Sequence, residues 1–197
     1  PGSGKSFVTD RVTGGLGLKV INSDTFFQTL LKKQGLSLDM PDEEEEPRMK
    51  ALVRAKSLTN SQTKLALKGR LGIVIDGTGG NYSVIQKQNK LLKRIGYDTF
   101  IIFVNTTLET ALERNKSRER KVPEKIVKSS WELVQANKAK YQRLFKRANF
   151  YLVDNTNPTE DLFDKITKEV RKVVSRPVVN KHAKNWIAKE LQKKKRT

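Results

Sequence analysis

The chain has 197 residues, enough for one α/β domain with a buried core and a short appendage. It has no cysteine, which excludes disulfide staples and cysteine-ligated zinc and allows a reducing, cytoplasmic setting; no apolar run approaches the roughly 18 residues of a membrane span. Lys and Arg number 40 against 21 Asp and Glu, and the net charge of +19 favours polyanionic partners such as nucleic acid or nucleotides, or else marks a lysine-rich solubilising surface.

Pro1-Gly2-Ser3-Gly4-Lys5-Ser6 reads as the back half of a phosphate-binding loop, G-x-x-x-x-G-K-[ST]. Gly2 and Gly4 let backbone N–H groups on either side of Ser3 turn inward as an anion nest, where a side chain would block the approach. In that pattern Lys5 carries charge to the β/γ-phosphates of a nucleotide and the Ser6 hydroxyl ligates Mg²⁺. The other reading is a glycine-rich turn that happens to contain Gly-Lys-Ser. Such a loop follows a buried parallel strand, which here would precede residue 1. The expectation is therefore a sheet whose first strand is missing from this chain, and a stretch that folds poorly without it.

A helix is predicted from Lys5 to about Val12, stopped by Gly14-Gly15, and then a buried strand over Leu16–Ile21. Asn22-Ser23-Asp24 follows at the carboxyl end of that strand, where open parallel sheets bind ligands. Asp24 reads as a general base or a metal-shell residue; alternatively Ser23 or Asp24 merely caps the helix starting at Thr25. Residues 36–47 have loop character with an acidic run, Asp42–Glu46, read as a solvated face or a first-turn charge bias. Arg48–Gly69 suggests one interrupted or two short helices, and residues 36–70 form the expected acceptor region, with Lys50, Arg54, Lys56, Lys64 and Lys68 exposed or turned to an acceptor.

Leu71–Ile75 is the next predicted strand, ending in Asp76-Gly77-Thr78. An apolar strand ending in Asp is the metal-shell arrangement that partners a phosphate loop, although a plain turn and cap before the helix Tyr82–Ile95 would look alike. Thr99–Val104 is a further strand, and Asn105-Thr106-Thr107 caps a helix bearing Leu108, Ala111 and Leu112. The charged stretch 114–122 joins it to a helix opened by Pro123. It reads as a lid whose arginines neutralise charge on a transferring group, or as an exposed hairpin. Ile126, Val127, Trp131, Val134, Tyr141, Leu144 and Phe145 form a core stripe on the helix ending near Arg147. Phe150–Val153 is the last strand, followed by the Asp154–Pro158 loop and a helix over Thr159–Val174. Residues 175–197 form a basic tail with helical character, running to Arg196 and holding the single histidine, His182, to which no catalytic role falls.

This order of parts resembles the P-loop phosphotransferases of the zeta toxin and polynucleotide 5′-hydroxyl kinase group, including small phage kinases. The resemblance spans residues 1–174 and rests on PGSGKS, VINSD ending at Asp24, and LERNKSRERKVPEKIV. It implies a P-loop NTPase-like α/β sandwich of three layers, parallel order 2-3-1-4-5, and ATP and Mg²⁺ as cofactors. It implies Lys5 on the β/γ-phosphates, Ser6 on Mg²⁺ and Asp24 as the base for a substrate hydroxyl. Arg118 and Arg120 then match the lid arginines on the γ-phosphate, Arg114 and the loop from Asn155 lie where adenine sits, and Asp76 with Thr78 completes the metal shell or touches the acceptor. The acceptor region matches no substrate-specific pattern. The expected activity is transfer of a γ-phosphate to a hydroxyl, on nucleic acid or a nucleotide; the alternative is a nucleotide-dependent nucleic-acid-binding module without catalysis. A GTPase is disfavoured because Asn180-Lys181-His182-Ala183 lacks the Asp of N-K-x-D.

Overall fold

The computed structural model describes residues 1–195; Arg196 and Thr197 of the predicted tail lie outside the described residues. The elements alternate as the apolar runs and caps predict: α1 (Lys5–Thr13), β1 (Lys19–Ile21), α2 (Ser23–Lys33), α3 (Glu45–Lys68), β2 (Ile73–Ile75), α4 (Tyr82–Arg94), β3 (Ile101–Asn105), α5 (Leu108–Lys116), α6 (Glu124–Phe145), β4 (Phe150–Asp154), α7 (Glu160–Ser175) and α8 (Lys181–Lys194). All strand pairing is parallel. β1 pairs with β2, Lys19 opposite Ile73 through Ile21 opposite Ile75, and β3 pairs with β4, Ile101 opposite Phe150 through Asn105 opposite Asp154.

The single sheet of order 2-3-1-4-5 is not what the hydrogen bonds draw. They draw two ribbons of two strands each, β1-β2 and β3-β4, with no ladder joining them among the described residues. The strands are also shorter than predicted. Leu16–Leu18 and Leu71-Gly72 stay outside the ladder, and Ile75 is 40% exposed where burial on both faces was expected.

Packing explains the larger correction, in the acceptor region. Residues 45–68 form one uninterrupted helix, preceded by a 3₁₀ turn over Asp42–Glu44. Pro47 misleads the sequence reading: it is the third helical residue, where the backbone N–H has no intrahelical acceptor to lose. Glu45 and Glu46 occupy the first turn, where carboxylates suit the helix dipole. The face that α3 buries is made of alanines. Ala51 and Ala55 close against Phe27 and Leu31 of α2, whereas Met49, Val53 and Leu65 stand exposed.

Two further clusters hold the other half. Val8 and Val12 of α1 pack with Val153 of β4 and Phe163, Ile166 and Val170 of α7. Phe103 of β3 packs with Tyr141 and Phe145 of α6. Most of the predicted α6 stripe is turned inward, but Ile126 is 49% exposed. The tail is neither free nor shapeless: α8 lies against the end of α4, with Asn180 Nδ2 donating to the carbonyls of Lys93 (2.8 Å) and Tyr97 (3.1 Å), Asp98 accepting from the Val179 amide, and Arg70 stacked on Trp186 at 4.1 Å. No described helix is long and apolar enough to cross a membrane.

Candidate active site

The carboxyl ends of all four strands lead into one region. α1 starts at Lys5, directly after Gly4, which is the N-cap residue with φ 77°. Gly2 also has φ 73°, so both glycines hold left-handed backbone. Their need for glycine is set by the protein itself, not only by a ligand: a Cβ on Gly2 would fall 2.1 Å from the Ala111 carbonyl oxygen, and one on Gly4 2.3 Å from Asn155 Nδ2. The same Asn155 amide donates to the Ser3 carbonyl at 2.8 Å, and its backbone N–H donates to Asn105 O at 2.8 Å. The end of β4 thereby clasps the phosphate-loop segment.

Arg114 braces this clasp. It lies in the last turn of α5, and its guanidinium donates to the carbonyls of Asn155 (2.7 Å) and Thr156 (3.0 Å). Asp154 shapes the same loop by accepting from the Thr156 hydroxyl (2.7 Å) and amide (3.0 Å), bonds that hold its carboxyl below the usual range. Asn155 Oδ1 is buried and has no hydrogen-bond partner among the described residues.

Ser6 and Asp76 come together as the sequence predicts. Ser6 Oγ donates to Asp76 Oδ2 at 3.0 Å, and Asn22 Nδ2 donates to the same oxygen at 2.8 Å. The loop after Asp76 is carried by α6: Tyr141 donates its hydroxyl to Gly79 O (2.7 Å) and Asn137 its amide to Gly80 O (2.8 Å). A hydroxyl beside a carboxylate is an oxygen pair suited to a hard cation that keeps much of its coordination for water and phosphate. No group of three or more His, Cys, Asp or Glu is placed to hold a metal ion among the described residues.

Asn22 was missed by the sequence reading, which assigned the cap to Ser23 or Asp24. The side chain of Asn22 is the N-cap of α2, accepting from the Asp24 amide at 2.8 Å. Asparagine ranks with serine and aspartate as a cap, so the signal was present in the triplet. The Asp24 carboxylate is thereby released from capping, and it pairs with Arg120 Nη2 at 3.1 Å.

Arg120 is buried, lies over the Phe27 ring at 5.6 Å, and its Nε has no hydrogen-bond partner among the described residues. An exposed charged hairpin is therefore not what joins α5 to α6. Asn115 staples the segment, donating to Val122 O (2.7 Å) and accepting from Val122 N (3.2 Å). Arg114 to Lys116 of the charged stretch belong to α5, so the connection to α6 begins at Ser117. Burial pushes the Arg118 guanidinium down, helped by Arg120 and opposed by Asp24. Burial likewise pushes the Lys5 ammonium below its ordinary value, against the upward pull of Asp76 and Asp24, with Arg118 adding to the depression. Lys5, Arg118, Arg120, Asp24 and Asp76 thus share one electrostatic environment.

A family model described as an AAA domain matches residues 1–143, from the phosphate loop through the segment joining α5 to α6 and most of α6. The chain belongs to the AAA domain family. Among solved structures, this AAA domain is similar to a provisionally named kinase from Chloroflexus aurantiacus J-10-fl, with TM-score 0.58 and 17% identity, covering 88% of this chain and 91% of that one. It is also similar to a gluconokinase from Sinorhizobium meliloti 1021, with TM-score 0.52 and 15% identity over 88% of this chain and 89% of that one. At such identities the likeness establishes a P-loop NTPase-like kinase fold. A comparison with curated proteins finds no match.

Proposed function

We propose that the chain is an ATP- and Mg²⁺-dependent phosphotransferase that moves a γ-phosphate onto a hydroxyl, of the zeta toxin and polynucleotide 5′-hydroxyl kinase kind. The observation that carries this reading is the Asp24–Arg120 pair at 3.1 Å in the same field as Lys5. A carboxylate able to take a hydroxyl proton stands beside cations able to hold a phosphoryl group. Residues 1–174 form the catalytic body in this reading, and 175–197 an appendage. The two parallel ribbons fit the order 2-3-1-4-5 if a further strand lies between β2 and β3.

The backbone at Gly2, Ser3 and Gly4 cradles the polyphosphate, and Lys5 draws its negative charge into the loop. Ser6 and Asp76 would hold Mg²⁺, which would supply neutralising charge to the polyphosphate. Asn155 and Arg114 keep the loop after β4 against the phosphate loop, forming the wall on the adenine side. Arg118 and Arg120 stabilise charge on the transferring group. Asp24 accepts the proton of the attacking hydroxyl, which requires Arg120 to exchange its carboxylate partner for the phosphoryl group. A general base at this position suits a hydroxyl acceptor better than an already ionised phosphate.

The test is transfer of radiolabelled γ-phosphate from ATP to a panel of 5′-hydroxyl oligonucleotides, nucleosides, sugars and sugar nucleotides. Label should appear on one hydroxyl class and depend on Mg²⁺. Nucleotide binding with no transfer to any member would leave only a nucleotide-binding module.

A further inference from the structure

The strands run from a basic end to the phosphate-loop end, and the basic end has a feature that phosphotransfer does not use. At the start of β4, two adjoining clefts meet at Arg147. One, of about 370 Å³, is lined by Arg143, Arg147 and Phe150; the other, of about 360 Å³, by Arg147, Tyr151, Glu169, Lys172 and Arg176. Four cations thus face a single carboxylate. Arg143 and Arg147 are exposed, and their side chains form no hydrogen bond or ion pair among the described residues. Arg176 is held in place, donating to Asn149 Oδ1 at 3.0 Å.

Helix dipoles account for only part of this. α6 and α7 both end nearby, and each helix end attracts a cation by roughly 0.3–1 kcal/mol. Arg147 lies beyond both, in a 3₁₀ turn over Arg147–Asn149 that follows Lys146 at φ 61°. The carbonyl ends of the helices would by themselves repel an anion, so the guanidinium and ammonium groups must supply the attraction. Further cations lie at the amino ends of the other strands. α8 is fastened by Asn180 to the end of α4 and by Trp186 to Arg70, both at the amino end of the sheet, and it brings Lys181, Lys184 and Lys189 there.

We propose that this end of the sheet is a binding site for the backbone of single-stranded nucleic acid, with Arg143 and Arg147 contacting phosphates. A polymer fits better than a small anion because Arg143, Arg147, Lys172 and Arg176 are spread over two adjoining clefts instead of converging on one point; Phe150 and Tyr151 line the clefts while packing on Phe103 and Phe100. The site is distinct from the nucleotide site. β4 begins here at Phe150 and ends at Asp154 beside Asn155, roughly 15 Å away at about 3.3 Å per residue.

The experiment measures binding of a fluorescein-labelled oligodeoxythymidylate of about 15 nucleotides to the full chain, by anisotropy, across a salt series. The parent should bind with a negative slope of log K against log[salt]. Arg143→Gln/Arg147→Gln should bind about tenfold more weakly and flatten the slope by about 1.4, at about 0.7 per lost phosphate contact. ATP affinity and melting temperature should not change, and the single Arg147→Gln should show about half the loss. A control, Lys125→Gln/Lys128→Gln on the exposed first turns of α6, removes the same charge at the opposite end of that helix from Arg143 and should bind as the parent. No binding by the parent at low salt would overturn the assignment. So would an unchanged double variant, an equal loss in the Lys125/Lys128 control, or competition by polyglutamate as strong as by unlabelled oligonucleotide.

Discussion

Asp24 has three cations acting on its carboxylate, Arg120 by direct contact and Lys5 and Arg118 through space, and its backbone N–H is taken by Asn22. The carboxylate of Asp24 is not the cap of α2, because Asn22 supplies it. Asp24→Asn should therefore leave ATP affinity nearly intact while lowering turnover by about 10²–10⁴, the usual contribution of a positioned base. Isothermal titration and steady-state rates check the two halves, and full turnover in the variant would remove Asp24 from the mechanism. Lys5 makes the complementary case. Its pKa is depressed in the folded chain, so between that lowered value and its ordinary 10.5 the unfolded chain binds more protons and stability climbs with pH. Below that window the partly desolvated ammonium is a standing cost to the empty fold. Lys5→Met should melt higher than the parent at neutral pH and lose the further rise that ATP with Mg²⁺ produces. A lower melting temperature in the variant would make Lys5 a structural residue. At this scale the sequence picked out Lys5, Ser6, Asp24, Asp76, Arg118 and Arg120 from local motif spacing, and the structure brings the six into one region. Asn22, Phe27 and Asn115 were not legible, because their roles depend on which loop each side chain reaches.

Elements were legible where caps and apolar runs agree, and α3 shows why they sometimes mislead. Its large apolar residues suggested two amphipathic pieces, yet Val53 is 64% exposed and Leu65 69%, while Ala51 and Ala55 are the buried ones. Small side chains let α2 and α3 approach closely, so the contact is made by the rings and branches of α2 against alanine. Apolar periodicity weighted by size points to the wrong face in such a helix. Ala55→Leu should destabilise by about 1–3 kcal/mol through overpacking, whereas Val53→Ala should stay within about 0.5 kcal/mol. Urea unfolding distinguishes them, and the opposite ranking would mean that α3 is turned the other way. The segment between α5 and α6 carries a parallel expectation. Asn115 is buried and makes both hydrogen bonds to Val122. Asn115→Ala should slow phosphoryl transfer more than it weakens ATP binding, since it frees Arg118 and Arg120 without touching the phosphate loop. A variant with unchanged transfer would show that the staple is dispensable to the arginines.

Across the whole molecule, the parallel strands give the domain a polarity that no single stretch of sequence displays. Phosphate-loop chemistry gathers at their carboxyl ends, and the excess positive charge of the appendage is placed at their amino ends. The sequence supplied the charge and the helical character of the last segment but not its seat, because the seat is a handful of hydrogen bonds across 80 to 90 positions of chain. Asn180 concentrates them: its side chain caps α8 by accepting from the His182 amide at 2.9 Å, and donates to Lys93 O and Tyr97 O. Gly96, at φ 109°, leaves room for Ala183, whose Cβ would lie 3.3 Å from any Cβ added there. A seat so local implies that α8 can open without the core. Asn180→Ala removes the cap, worth about 0.5–2 kcal/mol, together with both docking bonds. Hydrogen exchange should then speed up in α8 and at the end of α4, while the amides of β3 and β4 keep their protection. Phosphoryl transfer to a small acceptor should not change, because the phosphate loop lies at the other end of the strands. If β3 and β4 lost protection in step with α8, the appendage would be part of the cooperative core, and the polarity argued from the strands would not separate their two ends.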